Sequence, residues 1–265
     1  MASGGARRKQ VIAIEKDSSD FPKPVDLAIV IGNAKGESAV LSWGEIFYRN
    51  PSEVIVAVEA APVMPHSSCG KCHTPEVYES RYAELRREVG FPKLVVSGDF
   101  YNDRSLEGVT RIEVVDLRPP IPRAKKEPLY SAACEITGEV ARPISHHDLS
   151  AFARSEAIVK VVGDGKGYHG IKKFSGVSLA ALLGEAGMKG GMNAVVLVSA
   201  PDGYRSLFSM GELFFSPLGR NVLIADMCEG EPLEEDGRFC LVVPHDLAVD
   251  RWVKAVDKIQ VISMP

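Results

Sequence analysis

The chain lacks the features that would commit it to a membrane, to nucleic acid or to a disulfide framework. No apolar run approaches the roughly 18 residues that a membrane-spanning helix needs, so no membrane span is predicted. Basic residues (31) are outnumbered by acidic ones (35), the net charge is −4, and no basic stripe stands out, so no nucleic-acid surface is expected. The five cysteines are odd in number and loosely spaced, which does not fit a disulfide scaffold.

The first residues do not form a signal peptide as they stand. Glu15, Lys16 and Asp17 break the apolar stretch that begins at Val11. We therefore interpret residues 1–24 as a tail, and the chain as written predicts a cytoplasmic protein. If a natural leader has been removed and haem is present, a periplasmic protein is expected instead.

An internal repeat organises the chain. Leu27–Phe47 aligns without a gap with Ala194–Phe214, since each has an apolar strand, a glycine turn, a second strand and a Ser-x-Gly-Glu-x-Phe end. A later block, Lys93–Val115, aligns in the same way with Cys240–Ile262. Blocks in the same order predict a duplication; two generic β-hairpin units are the alternative.

The two copies differ in what surrounds the shared blocks. The predicted division is a tail (1–24), a truncated first copy (25–117) with an insertion at 62–90, a proline-rich linker (118–131) and a complete second copy (132–265). Only the second copy has a segment before its shared blocks. That segment predicts, in order, a strand at Glu135–Thr137, a helix at His146–Arg154 capped by Ser145, a strand at Ala157–Val162, a glycine-rich loop at Gly163–Gly170 and a helix at Val177–Ala186 stopped by Gly187.

The second copy resembles the sulfite oxidase-like family of molybdopterin-binding domains. The stretches that carry the resemblance are Ile136–Leu149, Phe174–Gly187, Ala200–Phe208 and Phe239–Ile262. It implies a mixed, β-rich α+β fold whose sheets carry a cofactor pocket, duplicated here with a truncated first copy.

One departure from the family bears on chemistry. Catalytic members hold molybdenum through a cysteine just after the strand that corresponds to Ala157–Val162, and by its place in the pattern Gly163 occupies that position. Glycine has no side chain to ligate a metal. We therefore do not expect molybdopterin, and the sequence assigns no catalytic residue.

The pocket can still hold another ligand. The glycine-rich loop can present backbone N–H groups to a small anion, with charge from Lys166 and His169; a turn that needs positive φ angles is the alternative. The resemblance places Tyr204 and Arg205 at the border of the pocket. The predicted binding residues are Gly163, Asp164, Lys166, His169, Tyr204 and Arg205. The Asp246–Arg251 pair recurs as Asp99–Arg104, which indicates a structural role.

The insertion contains a Cys-x-x-Cys-His motif, Cys69-Gly70-Lys71-Cys72-His73. Two thiols and the next histidine are what covalent c-type haem needs, with Met64 or His66 as a sixth ligand. Zinc bound by Cys69, Cys72, His73 and His66 is the second interpretation. A redox dithiol, or two cysteines without a function, is the third.

Two hypotheses about function follow. The first is a redox or electron-transfer protein on a molybdopterin-oxidoreductase-like scaffold, with a metal or haem at the motif and a redox partner protein. The second is a non-catalytic ligand-binding or assembly module with a structural zinc site.

Overall fold

The computed structural model describes residues 21, 23–50, 53–60, 89–126, 128–163, 167–234 and 237–264. The described chain is rich in β-structure, and its strands are β1 (Leu27–Asn33), β2 (Ser38–Ser42), β3 (Val54–Ala57), β4 (Lys93–Val96), β5 (Val109–Asp116), β6 (Cys134–Gly138), β7 (Ile144–His146), β8 (Ser155–Val162), β9 (Tyr168–Ser178), β10 (Ala194–Ser199), β11 (Arg205–Ser209), β12 (Leu223–Cys228), β13 (Glu231–Pro232), β14 (Cys240–Val242), β15 (Val253–Lys254) and β16 (Lys258–Ser263). The α-helices of the same residues are α1 (Trp43–Phe47), α2 (Leu179–Ala186) and α3 (Met210–Phe214). None of these helices is long and apolar enough to cross a membrane.

The repeat is visible as identical strand register. In the first copy β1 pairs on either side with β2 and β5, and Ala28 lies opposite Ser42 and Val115. In the second copy β10 pairs in the same way with β11 and β16, and Val195 lies opposite Ser209 and Ile262. The gapless alignment thus corresponds to equivalent positions in space, which confirms the mixed, β-rich, duplicated fold.

The second copy carries further strands beyond the shared set. β6 joins the edge of β16 in parallel and is followed by β7, which gives a five-stranded sheet in the order β11-β10-β16-β6-β7. A six-stranded sheet has the order β15-β14-β12-β9-β8, with β13 on β12. Its counterpart in the first copy is a two-stranded sheet, β3-β4.

The central strands are apolar on both faces because the two copies pack against each other. Ala28 and Val30 of β1 belong to the same buried cluster as Val195 and Leu197 of β10. The alternate residues of β1 point into the first copy's own core with Trp43. A strand covered on both sides reads as a continuous apolar run, as both β1 and β10 do.

Two predicted helices differ from the structure. The helix at His146–Arg154 is wrong, because Ile144–His146 forms β7 and pairs with β6, with Ser145 opposite Glu135. Antiparallel pairing with the preceding strand β6 outweighs the N-cap signal of Ser145. The helix predicted at Val177–Ala186 begins at Leu179, since β9 continues to Ser178; its end at Gly187, with a φ of +66°, is confirmed.

Two buried ion clusters lie where the copies meet. In one, Arg104 binds Asp99 with two hydrogen bonds, of 2.6 and 2.9 Å, and Glu45 at 2.8 Å. In the other, Arg251 binds Asp246 with two bonds of 2.6 Å and Glu212 at 2.8 Å.

The side chain of each arginine lies against a helix glycine of the other copy. A Cβ added at Gly44 would lie 2.2 Å from Cδ of Arg251, and one at Gly211 would lie 2.4 Å from Cδ of Arg104. Both glycines are required by close approach across the interface, and both Asp–Arg pairs are structural contacts in the described chain.

Candidate functional site

A cavity of about 210 Å³ opens beside the six-stranded sheet of the second copy. One wall comes from β8 and β9, and another from β14 and the short stretch Val249–Lys254. The turn between β10 and β11 closes the third side with Asp202 and Tyr204. The cavity includes Gly163 and Tyr204, two of the residues that the sequence predicts for a binding pocket.

The floor of the cavity is apolar and aromatic. Val161 of β8 and Phe174 of β9 are buried, and the ring of Trp252 stands edge-on to Phe174 with centroids 5.2 Å apart. Cys240 also lines the wall, but this residue is only 1% exposed. An apolar surface of this kind favours the ring or alkyl part of a ligand.

The rim is polar, and much of it is internally bonded. Nζ of Lys23 donates to Oδ1 of Asp250 at 2.9 Å and to the hydroxyl of Tyr204 at 3.2 Å. The hydroxyl of Tyr204 in turn donates to the carbonyl of Asp250. These contacts attach the segment before β1 to the second copy, so Lys23, assigned to the tail by the sequence, belongs to the rim.

Lys23 and Tyr204 keep their protons at neutral pH. Burial would lower the pKa of Lys23, but its bonds to Asp250 and Tyr204 outweigh burial and raise that pKa. Burial also raises the pKa of Tyr204. Among the described residues that line the cavity there is neither histidine nor glutamate. The arrangement suits binding better than proton transfer, because a general base works best with a pKa near the operating pH.

Arg205, predicted as a pocket residue, is directed elsewhere. Its Nε donates to Oδ2 of Asp26 at 2.7 Å, and Nη1 donates to the carbonyl of Ile121 at 3.1 Å. Phe21 covers the guanidinium at 4.7 Å, and Arg205 is only 1% exposed. The side chain ties the segment before β1 to the connection between the copies and does not line the cavity.

Of the other predicted binding residues, some line the cavity and some do not. Gly163 and Tyr204 line the cavity, whereas His169 is exposed on β9 and does not. The predicted glycine-rich loop is shorter than expected, because Gly163 N–H bonds to the carbonyl of Gly167 and β9 starts at Tyr168. Asp164 and Lys166 lie outside the described residues.

His245 has a partner that the sequence did not indicate. Its Nε2 lies 2.9 Å from Nδ2 of Asn221. Burial lowers the pKa of His245, and the nearby Arg49 lowers it further. It does not line the cavity.

Sequence reasoning missed two lysines of the cavity wall, Lys172 and Lys254. A signal for Lys172 was present: residues two apart on a strand share a face, and Phe174 is the start of the apolar pattern. By that alternation Lys172 points inward, while Ile171 points out and is 59% exposed.

The Cys-x-x-Cys-His motif belongs to a segment whose two ends meet. Ala57 of β3 lies opposite Lys93 of β4, so residues 58–92 leave and re-enter the fold at adjacent positions. Glu107 holds the return, accepting from Nζ of Lys93 and from the N–H of Gly90, each at 3.2 Å. His66, Cys69, Cys72 and His73 lie outside the described residues. Within the residues that are described, no group of three or more His, Cys, Asp or Glu side chains is placed to hold a metal.

Comparison with known proteins identifies the second copy. A sequence model described as the oxidoreductase molybdopterin binding domain matches residues 133–265, half of the chain. The chain belongs to this family. The matched residues begin within one position of the predicted second copy (132–265) and include every strand that lines the cavity.

A solved structure of low sequence identity also matches the chain. The sulfane dehydrogenase SoxCD from Paracoccus pantotrophus is similar over 79% of this chain, with 17% sequence identity and a TM-score of 0.43. The match covers 58% of that protein, which is therefore considerably longer than the matched part. No curated protein sequence matches the chain.

The residues of the cavity do not fit the cofactor for which the family is described. Gly163, where the resemblance places the molybdenum ligand, offers no sulfur, and its φ of +94° disfavours any side chain. Cys240 lies on β14 instead, and Arg205 is bonded to Asp26. The cavity of about 210 Å³ is also below the roughly 300–1,000 Å³ typical of pockets for drug-sized ligands.

Proposed function

We propose that this family member is a redox protein that transfers electrons through a metal or haem held at Cys69, Cys72 and His73. The observation that carries the proposal is the position of the motif. It lies in a segment that leaves and rejoins the fold between two paired residues, Ala57 and Lys93. A segment anchored in this way adds chemistry without altering the core, as inserted loops on rigid scaffolds often do.

Haem c is the group that we favour. The two thiols of Cys69 and Cys72 would hold the porphyrin covalently, and His73, which follows at once, would bind its iron. When bound, haem supplies one-electron transfer. Met64 and His66 precede the motif and are the candidates for the second axial position.

The residues that line the cavity support a redox centre elsewhere in the chain. Gly163 provides no ligand, and Lys23 and Tyr204 are protonated and mutually bonded at neutral pH. Chemistry of the kind that the family name implies would need other residues. The motif is the remaining group of soft ligands in the sequence.

The test is an absorption spectrum of protein exported in a host with haem-maturation machinery. We expect a Soret band that survives denaturation, because the haem is covalently attached, and its loss in Cys72→Ser. Cys228→Ser, a change on β12 outside the insertion, is the matched control and should keep the band. Export is required by this proposal, so the protein would be periplasmic and would have a redox partner there.

The second candidate is a ligand-binding or assembly module with structural zinc bound by Cys69, Cys72, His73 and His66. It is favoured by the pairing of Arg205 with Asp26, which fastens the segments around the cavity together. If the exported protein has no Soret band but contains one zinc per chain that Cys72→Ser removes, this candidate replaces the first. If neither haem nor zinc is found, both are wrong.

A further inference from the structure

Lys172 occupies an unusual position in the six-stranded sheet. It lies opposite Val159, which is 4% exposed, and two residues before the buried Phe174 on the same face of β9. The opposite face of the strand carries the exposed Ile171. The ordinary arrangement of a half-buried strand, apolar inward and polar outward, is therefore reversed at this point.

The charges around the cavity leave this inward cation without a carboxylate of its own. Among the described residues, the carboxylates that line the cavity are Asp250, which binds Lys23 at 2.9 Å, and Asp202, which binds Arg123 at 3.1 Å. No ion pair joins Lys172 to any acid in the described part of the chain. Lys254 adds a further cation to the same wall.

The size and floor of the cavity limit what such a cation can bind. A volume of about 210 Å³ exceeds the roughly 150 Å³ of an apolar protein cavity that holds benzene. Val161, Phe174 and Trp252 offer an apolar and aromatic surface below the lysines. The space is thus suited to a ligand of one ring or a short alkyl chain with one anionic group.

We propose that the cavity binds a small organic carboxylate, with its carboxylate at Lys172 and Lys254 and its apolar body against Phe174 and Trp252. The carboxylate would supply the charge-assisted bonds that the inward lysine lacks. This site does not depend on a group in the insertion, so it stands or falls separately from the redox proposal.

Trp252 provides the readout, with benzoate as the probe. The chain has two tryptophans, and Trp43 lies in the separate core of the first copy. In the ¹⁵N–¹H spectrum of the whole chain, we expect the indole signal of Trp252 to shift and saturate with benzoate while that of Trp43 stays in place. Trp43→Phe assigns the two signals.

The ligand's charge and ring are tested separately. Benzamide, which has the ring without the charge, and inorganic phosphate, which has charge without the ring, should each bind at least about tenfold more weakly than benzoate. Lys172→Gln and Lys254→Gln should each weaken benzoate about tenfold. Lys160→Gln is the control, because Lys160 is exposed on the neighbouring strand β8. The affinity of the Lys160→Gln variant for benzoate should stay within about twofold of that of the wild type.

Three results would overturn the proposal. These are no saturable shift of the Trp252 signal up to about 20 mM benzoate, an equal loss in the Lys160 and Lys172 variants, or equal binding of benzamide and benzoate. Thermal unfolding of each variant shows that it is folded, and the two lysine variants give independent tests of the same contact.

Discussion

The hydroxyl of Ser42 donates a 2.7 Å hydrogen bond to Oε2 of Glu212, which is 170 residues further along the chain. The relationship is reciprocal, because Ser209 donates to Oε1 of Glu45 at 2.7 Å. Each serine also caps the helix of its own copy by accepting from the N–H of the glutamate three residues on. Each copy thus completes the polar contacts of the other inside a buried interface.

Removing either hydroxyl should destabilise the whole chain. In Ser42→Ala and Ser209→Ala we expect the free energy of unfolding to fall by about 1–3 kcal/mol each, since a cap and a buried carboxylate both lose a partner. Ser206→Ala is the matched control, because Ser206 is fully buried and its Oγ has no hydrogen-bond partner within the described part of the chain. Urea unfolding measures all three. A loss in Ser206→Ala as large as in Ser42→Ala would contradict the assignment to the hydrogen bonds.

Two helix glycines should respond to alanine in opposite directions. Gly184→Ala should raise the free energy of unfolding by up to about 1 kcal/mol, because alanine favours helix and nothing lies within 4 Å of the added Cβ. Gly44→Ala should lower it by about 1–3 kcal/mol, because the added Cβ would lie 2.2 Å from Arg251. Denaturant unfolding of the two variants separates propensity from packing. If both variants had a higher free energy of unfolding than the wild type, Arg251 would move aside freely.

The segment before β1 should contribute to stability through Phe21. This ring is 2% exposed and packs edge-on to Tyr204, with centroids 5.3 Å apart. We expect Phe21→Ala to lower the free energy of unfolding by about 3–5 kcal/mol. Phe100→Ala, where the ring is 50% exposed, should cost less than about 1 kcal/mol. Thermal unfolding measures both variants. If Phe21→Ala and Phe100→Ala lost similar amounts of stability, Phe21 would not anchor the segment.

Stability should fall in alkaline solution because of Cys134. Burial raises the pKa of this thiol to about 12, whereas an unfolded thiol ionises near pH 9. Its contribution is therefore complete below pH 9 and is lost as the pH rises toward 12. By pH 10.5 we expect a loss of about 2 kcal/mol.

The variant Cys134→Ala isolates this effect. Its unfolding free energy should lack that part of the alkaline decline, whereas Cys228→Ala, with a half-buried thiol on β12, should keep it. Urea unfolding at pH 8 and 10.5 gives the comparison. Parallel declines in Cys134→Ala and wild type would assign the effect to other groups, such as Tyr48, whose pKa burial raises to about 12.

The features that the sequence predicts well depend on local patterns or on the repeated sequence blocks. The equivalence of β1 and β10 followed from aligned blocks, and the end of α2 from Gly187. The helix at His146–Arg154 was wrong because Ile144–His146 pairs as a hairpin with the preceding strand β6, and the N-cap signal of Ser145 does not reveal that pairing. The division into tail, copies, insertion and linker stays a prediction.

The candidate site was harder to predict because its residues come from separate segments. The sequence predicts Arg205 as a pocket residue, but its side chain is bonded to Asp26, which comes from the segment before β1. Lys172 was overlooked because a lysine in a strand is ordinarily directed to solvent. The direction of Arg205 cannot be predicted from its own segment, whereas that of Lys172 follows from its spacing to Phe174 on β9. The metal residues Cys69, Cys72, His73 and His66 remain predictions.

The pairing of Ala57 with Lys93 also has a practical and an evolutionary consequence. A two-residue reverse turn such as Asn-Gly would close the same hairpin, so residues 58–92 could be excised in a single edit. The shortened chain would retain the cavity with Lys172 and lose the cysteine motif. Under the proposed function, gain or loss of the redox centre would then require the exchange of one hairpin connection, with no redesign of the core beneath it.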